Sequence, residues 1–221
     1  MNLYYNTISP LLWEVLQKLM ATPDLNDFIL VGGTALALQL GHRESIDIDL
    51  FTAQGYGSID FLKIKETLTK LFDYSDGLDA MNERGLGYSV YLGNSPLQKI
   101  KVDMFYTEEF IKPCIEKDNL RLASLEDISG MKMLAITSRK QRKDFWDIYE
   151  LLNCFSFEEM LNFGLQRNPY SLEKEDILQA FNHLEQIELR TQINCFKGNY
   201  WELIAQDLQA IVEQFRQNQL S

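Results

Sequence analysis

The sequence predicts an α+β fold, with strands and helices mixed in the N-terminal half and helices throughout the C-terminal half. Two segments, 45–51 and 99–106, alternate polar and apolar residues with the period of a strand. A short apolar run at 28–31 stops at two glycines, which favours a buried strand followed by a turn. From residue 124 onwards the apolar residues recur at helical spacing. The sequence therefore predicts a mixed α/β segment followed by a helical segment in one chain.

The change of character near residue 115 predicts a domain boundary. We expect an α/β core with an N-terminal helix over residues 1–115 and a helical domain over residues 116–221. Serine, proline and glycine mark the ends of the individual elements. Four predicted helices start at Ser9–Pro10, Ser58, Ser124 and Ser156, and three more cover residues 34–40 (before Gly41), 173–189 and 200–215. Two further strands are predicted over residues 88–92 and 99–106, with a turn at 93–96.

Composition and charge narrow the classes of function. The 221 residues are 46% hydrophobic and 24% charged, which excludes a disordered or fibrous chain. The 21 basic and 32 acidic residues give a net charge of −11, which argues against a surface coated with positive charge for nonspecific nucleic-acid binding. A local basic site remains compatible with this balance.

Cysteine usage and the lack of long apolar runs predict the compartment. Three widely spaced cysteines without a CxxC pair, and only two histidines, offer no zinc-binding framework. The N-terminus lacks a signal-peptide pattern, and no segment approaches the roughly 18 apolar residues of a membrane span. We expect a cytoplasmic protein with reduced thiols and no membrane partner.

The first candidate site is the turn Val31-Gly32-Gly33-Thr34, between a predicted strand and a predicted helix. Paired glycines let the backbone approach a bulky ligand, and the start of the helix offers unpaired N–H groups to an anion. A purely structural turn is the alternative interpretation. The GxxxxGKS/T and GxGxxG loops do not occur, which excludes those two designs for nucleotide binding.

The second candidate site is a cluster of carboxylates on strands. Asp47 and Asp49 are two residues apart on a predicted strand, so their side chains lie on one face. Two carboxylates so close repel each other unless a cation lies between them, and oxygen ligands select Mg²⁺ or Mn²⁺ over zinc. Asp103 lies on another alternating strand and completes a three-acid metal site if the two strands are neighbours. The alternative is a solvent-facing strand edge whose charges oppose aggregation.

Together these residues resemble the nucleotidyltransferase superfamily with the polymerase-β-type fold. The longer strings Val31–Leu38 and His42–Phe51 resemble the AbiEii/AbiGii toxin family, the enzymatic partners of type IV toxin–antitoxin and abortive-infection systems. The resemblance covers residues 28–152. It implies a mixed sheet with flanking helices, and transfer of a nucleoside monophosphate from an NTP to an acceptor, the 3′ end of tRNA. It also implies dependence on Mg²⁺ or Mn²⁺ and a cognate antitoxin protein.

The family's fourth motif corresponds to residues 132–147, which are rich in basic side chains. Lys132 and Arg139 are seven residues apart and lie within about 20° of each other on a helix, and Lys143 joins this stripe if the helix is continuous. Such a stripe suits a triphosphate, and the same cluster is our candidate for contacting RNA phosphates. Asp144 and Asp147 share a helix face, where they orient the basic residues or serve as a base. A solvated helix end is the alternative.

The resemblance also places Arg43 and Ser45 beside the acidic residues, whereas His42 is interpreted as the end of the preceding helix. The complete prediction assigns catalysis to Asp47, Asp49, Asp103 and Asp144, metal binding to Asp47, Asp49 and Asp103, and nucleotide binding to Gly32, Gly33, Thr34, Arg43, Ser45, Lys132, Arg139 and Lys143.

Two other classes of function stay open on sequence grounds. Transfer to a small molecule or to a protein hydroxyl is favoured slightly by the net charge of −11. A non-catalytic module that binds a partner through its helical half is the second alternative. The intact acidic trio and Lys132 argue against it, because a degenerate site loses such residues.

Overall fold

A computed structural model describes residues 2–82, 85–187 and 192–220. The chain forms two units: the sheet unit, Met1–Gly41 with Ser45–Ser124, and the helical unit, His42–Glu44 with Leu125–Ser221. The short segment His42–Glu44 thus belongs to the helical unit although its neighbours in sequence belong to the sheet unit. The α+β class expected from the sequence is confirmed.

The sheet unit contains a mixed seven-stranded sheet and flanking helices. Its elements are α1 (Pro10–Met20), β1 (Ile29–Val31), α2 (Gly32–Leu40), β2 (Asp47–Thr52), α3 (Phe61–Leu71), β3 (Tyr74–Asp76), β4 (Gly87–Ser95), β5 (Gln98–Tyr106), β6 (Ile115–Lys117) and β7 (Leu120–Leu122). The strand order is β3-β4-β5-β2-β1-β7-β6. The β2–β5 and β1–β7 pairs are parallel and the other pairs are antiparallel.

Strand alternation separates a core face of the sheet from a polar face. On β2 and β5 the buried residues are Ile48, Leu50, Thr52, Ile100, Val102 and Met104. Helix α1 begins as predicted, with Pro10 in its first turn and the Ser9 hydroxyl accepting a hydrogen bond from the Leu12 N–H at 3.1 Å. Its apolar stripe is buried, and each fully buried leucine stabilises the fold by about 1.5–3 kcal/mol. The opposite face of the two strands, called the polar face below, carries Asp47, Asp49, Lys101 and Asp103.

Some sequence predictions of element bounds in this unit are wrong for local reasons. Helix α3 begins at Phe61, because Asp60 rather than Ser58 caps it by accepting from the Lys63 N–H. Strands β4 and β5 continue through the predicted turn at 93–96 and leave only Pro96 and Leu97 between them.

The β6–β7 hairpin was not predicted, because its three-residue strands lack the continuous apolar run that indicated β1. Asp118 and Asn119, both at positive φ, join its strands. Residues 116–124, which the sequence assigned to the helical domain, belong to the sheet unit.

The helical unit contains α4 (Leu125–Ser138), α5 (Arg142–Leu151), α6 (Phe157–Arg167), α7 (Lys174–Ala180) and α8 (Trp201–Leu220). The predicted start at Ser156 is confirmed by a capping box with Glu159. The helix predicted over 173–189 is shorter, because α7 ends at Ala180, and residues 188–189 lie outside the described residues. The core contains edge-to-face contacts of Phe145 with Phe181 and Trp201.

Two further observations concern membrane-spanning helices and the cysteines. Within the ranges that the structure describes, no helix combines the length and apolar character needed to cross a bilayer. Cys114, Cys154 and Cys195 are free thiols.

Candidate active site

The parallel pairing of β2 with β5 brings the acidic residues together. Asp49 is the register partner of Asp103, and Asp47 is the register partner of Lys101. Neighbouring strands lie about 4.8 Å apart, and alternate residues of a strand point to one face. The three predicted aspartates therefore lie on the same face of two adjacent strands. Strand adjacency, on which the acidic cluster depended, is confirmed.

Helix α2 brings backbone close to this face. It begins at Gly32, whose φ of +67° lies in the left-handed region that favours glycine. A Cβ built at Gly32 would overlap Asp49 Oδ2. Any other residue would therefore both strain the backbone and displace the carboxylate. The Gly-Gly turn thus lets the start of α2 touch the acidic cluster, which its sequence alone did not establish.

Thr34 and Ser45 fasten α2 to β2. The Thr34 hydroxyl donates to the backbone carbonyl of Asp47 and lies 2.8 Å from the Ser45 hydroxyl. Both side chains are buried. These contacts favour a positioning role for the two hydroxyls, whose predicted contact with nucleotide stays a prediction, as it does for Gly32 and Gly33.

A lysine that the sequence analysis did not single out completes the polar face. Lys101 Nζ lies 2.5 Å from Asp103 Oδ2, and the two residues are two apart on β5. Partial burial lowers the pKa of this ammonium, but the hydrogen bond to Asp103 and the charges of the three aspartates raise the pKa more, so the net shift is upwards. The spacing Lys-x-Asp on an alternating strand was the signal that would have revealed this pair.

The carboxylate oxygens of this face are the type of ligand that a hard divalent cation prefers. Asp103 Oδ1 is buried and has no hydrogen-bond partner within the described part of the chain, and a carboxylate oxygen left in that state is costly unless a donor or cation meets it. In the same part of the chain, no group of three or more His, Cys, Asp or Glu side chains is arranged to hold a metal ion. Asp103 Oδ2 is instead occupied by Lys101.

The helical unit contains a second cluster, built around Asp147 of α5. Asp147 accepts hydrogen bonds from Arg43 Nε at 2.7 Å, from Arg43 Nη2 at 2.8 Å and from His42 Nε2 at 2.8 Å, and Lys132 Nζ lies 2.6 Å from it. Burial raises the pKa of Asp147, but the charges of Arg43 and Lys132 outweigh it and hold the pKa well below its ordinary range. Asp147 therefore stays ionised and fixes the segment 42–44 to α5.

Asp144 extends the same cluster one helical turn away. Lys132 Nζ lies 2.8 Å from Asp144 Oδ1, and Arg139 binds the carboxylate through both Nε (2.8 Å) and Nη2 (2.7 Å). Burial raises the pKa of Asp144, but the charge of Lys132 and the hydrogen bond from Arg139 lower the pKa by more than burial raises it, so the net shift is downwards. A general base works best with a pKa near the working pH. The contacts thus favour a structural ion-pair role for Asp144.

The basic residues of the fourth motif differ in their surroundings. The side chain of Lys132 is 5% exposed and that of Arg139 is 48% exposed. The condition under which Lys143 would join the stripe is not met: α4 ends at Ser138, Lys140 has φ +40°, and a new helix begins at Arg142. His42, interpreted as a helix end, is instead buried against Asp147. Nucleotide binding by Arg43, Lys132, Arg139 and Lys143 stays a prediction.

Comparisons with known proteins agree with this fold. A family model described as nucleotidyl transferase AbiEii toxin, type IV TA system, matches residues 14–218. An uncharacterized protein of Aquifex aeolicus (strain VF5) is 26% identical over 214 residues, covering 93% of this chain and 96% of that protein.

Two solved structures share the architecture. JHP933 of Helicobacter pylori superposes with a TM-score of 0.57 at 16% identity, covering 94% of this chain and 89% of that one. The nucleotidyltransferase toxin MenT4 of Mycobacterium tuberculosis superposes with a TM-score of 0.52 at 16% identity, covering 91% and 83%. At such identities the likeness shows the fold.

The mixed sheet, the helical half and the family match define a nucleotidyltransferase. Because the family model spans nearly the whole sequence, the chain belongs to the AbiEii family of nucleotidyltransferase toxins. The family resemblance seen in the sequence is confirmed.

Proposed function

We propose that this protein is the toxin of a type IV toxin–antitoxin system and transfers a nucleoside monophosphate from an NTP to RNA, at the 3′ end of tRNA. The observation that carries the proposal is the pairing of Asp49 with Asp103 on adjacent parallel strands, in contact with the glycine that begins α2. Membership of the AbiEii family supports the toxin role and a cognate antitoxin.

The reaction breaks the phosphoanhydride bond between the α- and β-phosphates of the NTP and forms a phosphodiester bond to the acceptor. The acceptor hydroxyl oxygen forms a bond to the α-phosphorus, the bond from that phosphorus to the bridging oxygen breaks, and pyrophosphate leaves with the electron pair. The hydroxyl loses its proton to solvent, so the products are the extended acceptor, pyrophosphate and one proton. Such a displacement needs positive charge around the phosphates and an acceptor held in line.

The acidic cluster and the start of α2 each suit this requirement. Asp47, Asp49 and Asp103 would hold Mg²⁺ or Mn²⁺, and such an ion supplies Lewis-acid charge to the phosphates and favours loss of the acceptor proton. Backbone N–H groups at the start of α2 offer donors to phosphate oxygens, and Thr34 keeps α2 in place by its bond to the Asp47 carbonyl. The sheet unit thereby combines a carboxylate cluster with backbone N–H groups that can donate hydrogen bonds to phosphate oxygens.

The experiment is transfer of label from each of the four NTPs, in Mg²⁺ or Mn²⁺, to total RNA or to a cell lysate. We expect the wild type to label RNA and Asp49→Asn to label nothing while folding normally, because the carboxylates of the cluster repel one another. Asp73→Asn, which changes an exposed aspartate of the same unit, is the matched control and should remain active.

The results of this assay test the acceptor and the proposed chemistry separately. Label on a protein or on a small molecule would replace the RNA acceptor, in agreement with the net charge of −11. No label on any fraction, or full activity of Asp49→Asn, would contradict the proposed chemistry. Relief of growth inhibition by one co-expressed protein encoded nearby would support the antitoxin.

A further inference from the structure

Lys101 is a cation that the sheet unit itself supplies to the acidic cluster. It precedes Asp103 by two residues on β5, so the two side chains lie on one face, and its register partner on β2 is Asp47. Its ammonium lies 2.5 Å from Asp103 Oδ2 and its side chain is 35% exposed. The lysine is therefore held among the acids and still reaches solvent.

A divalent cation and this ammonium compete for the same carboxylate. Three aspartates on one face repel one another, and the metal-free protein needs a positive charge there. Lys101 supplies one charge by binding Oδ2 of Asp103, while Oδ1 of the same carboxylate has no hydrogen-bond partner in the described part of the chain. A divalent cation held by this carboxylate would repel the ammonium beside it. Metal binding would therefore weaken the hold of Lys101 on Asp103.

We propose that Lys101 is the resident counterion of the acidic cluster: it holds Asp103 in the metal-free enzyme, is displaced when a divalent cation binds, and so weakens the affinity for metal. The inference rests on the metal dependence of the proposed function. It makes Lys101 a positioning residue that sets the metal concentration at which the cluster fills.

A simple structural ion pair makes the opposite prediction. If Lys101 only stabilised β5, its removal would lower stability equally with and without metal and would leave metal affinity unchanged or lower it. If Lys101 is the counterion, its removal destabilises the metal-free protein, and added metal restores much of the loss, because the metal then neutralises the three carboxylates alone.

The test is Mn²⁺ binding to the full chain, followed by the electron paramagnetic resonance signal of free Mn²⁺. We expect Lys101→Met to bind Mn²⁺ about fivefold more tightly than wild type, the factor that corresponds to losing one competing, partly exposed ion pair. Lys101→Gln should behave like Lys101→Met and serves as a second variant if the first folds poorly. Lys101→Arg keeps the ion pair and should remain near the wild-type affinity.

Lys99→Met is the matched control. Lys99 lies on the same strand and face, but its ammonium is 3.8 Å from Asp76 and 4.5 Å from the centre of the Tyr91 ring. Its removal deletes the same charge away from the cluster and should change Mn²⁺ affinity much less. A second readout is thermal unfolding in EDTA and in saturating Mn²⁺, where the deficit of Lys101→Met should shrink with metal.

The outcomes separate the inference from the proposed function. Mn²⁺ binding by the wild type that is lost in Asp49→Asn, together with unchanged or weaker binding by Lys101→Met, would overturn the counterion role alone. Absence of Mn²⁺ binding by both the wild type and Lys101→Met would overturn metal dependence and the inference with it. Tighter binding by Lys101→Met but not by Lys99→Met would support both.

Discussion

Gly32 and the Asp49 carboxylate lie so close together that a Cβ at residue 32 would overlap Asp49 Oδ2. The contact joins the turn at the start of α2 to the acidic cluster of β2 and β5. Since Gly32 also has a φ of +67°, its substitution tests position and conformation together.

We expect Gly32→Ala to lose nucleotidyl transfer and to lower the free energy of unfolding by about 1–2 kcal/mol from the left-handed backbone alone. Gly57→Ala is the control, because Gly57 has φ +85° with open space around an added Cβ. That variant should show the backbone cost without loss of activity. Urea unfolding and label transfer measure the two effects, and full activity of Gly32→Ala would refute the proposed importance of this contact.

Lys132 neutralises two buried carboxylates, so its removal should be costly. We expect Lys132→Met to lower the free energy of unfolding by about 3–5 kcal/mol, because it leaves buried charge without its partner. Lys18→Met is the control: Lys18 pairs with the exposed carboxylate of Glu14 at 2.9 Å, so we expect about 1 kcal/mol or less. Equal urea midpoints for the two variants would contradict the structural role of Lys132.

Arg139 is the member of this cluster that a ligand can reach, since its side chain is 48% exposed. If it binds the triphosphate as predicted, Arg139→Ala should weaken NTP binding by roughly 10- to 150-fold, and Arg139→Lys should recover part of this. Lys140→Ala, beside it in sequence, controls for general loss of charge. Titration calorimetry with a non-hydrolysable NTP decides the matter, and wild-type affinity in Arg139→Ala would assign Arg139 to the structural ion pair with Asp144.

The depressed pKa of Asp147 predicts loss of stability in acid. Burial opposes ionisation, but Arg43 and Lys132 hold the folded-state pKa well below the ordinary value. Because the folded pKa lies below the unfolded value of about 3.9, the stabilisation is complete above that value and declines as the pH falls towards the folded pKa. We expect the urea midpoint to drop steeply below about pH 4. Asp147→Asn should start lower at neutral pH and fall less in acid, and parallel profiles would disprove the assignment.

The local elements of this fold were largely predictable, because short-range chemistry decides them. Ser9 and Ser156 begin helices through hydrogen bonds to N–H groups three residues away. Period-2 alternation places Asp47 and Asp49 on one strand face whatever lies beside them. Ser58 failed as a cap because Asp60, two residues later, makes the bond to the helix.

The sequence by itself therefore determined the class of fold, the family and the acidic residues of the candidate site. Only the tertiary structure decided that β5 lies parallel to β2, with Asp103 beside Asp49 and Lys101 on Asp103. It also decided that Lys132 is buried between carboxylates and that Arg43 reaches Asp147, more than a hundred residues away. Strand neighbours and buried ion pairs depend on contacts between distant segments, and the stability of such contacts comes from burial and charge that no local pattern encodes.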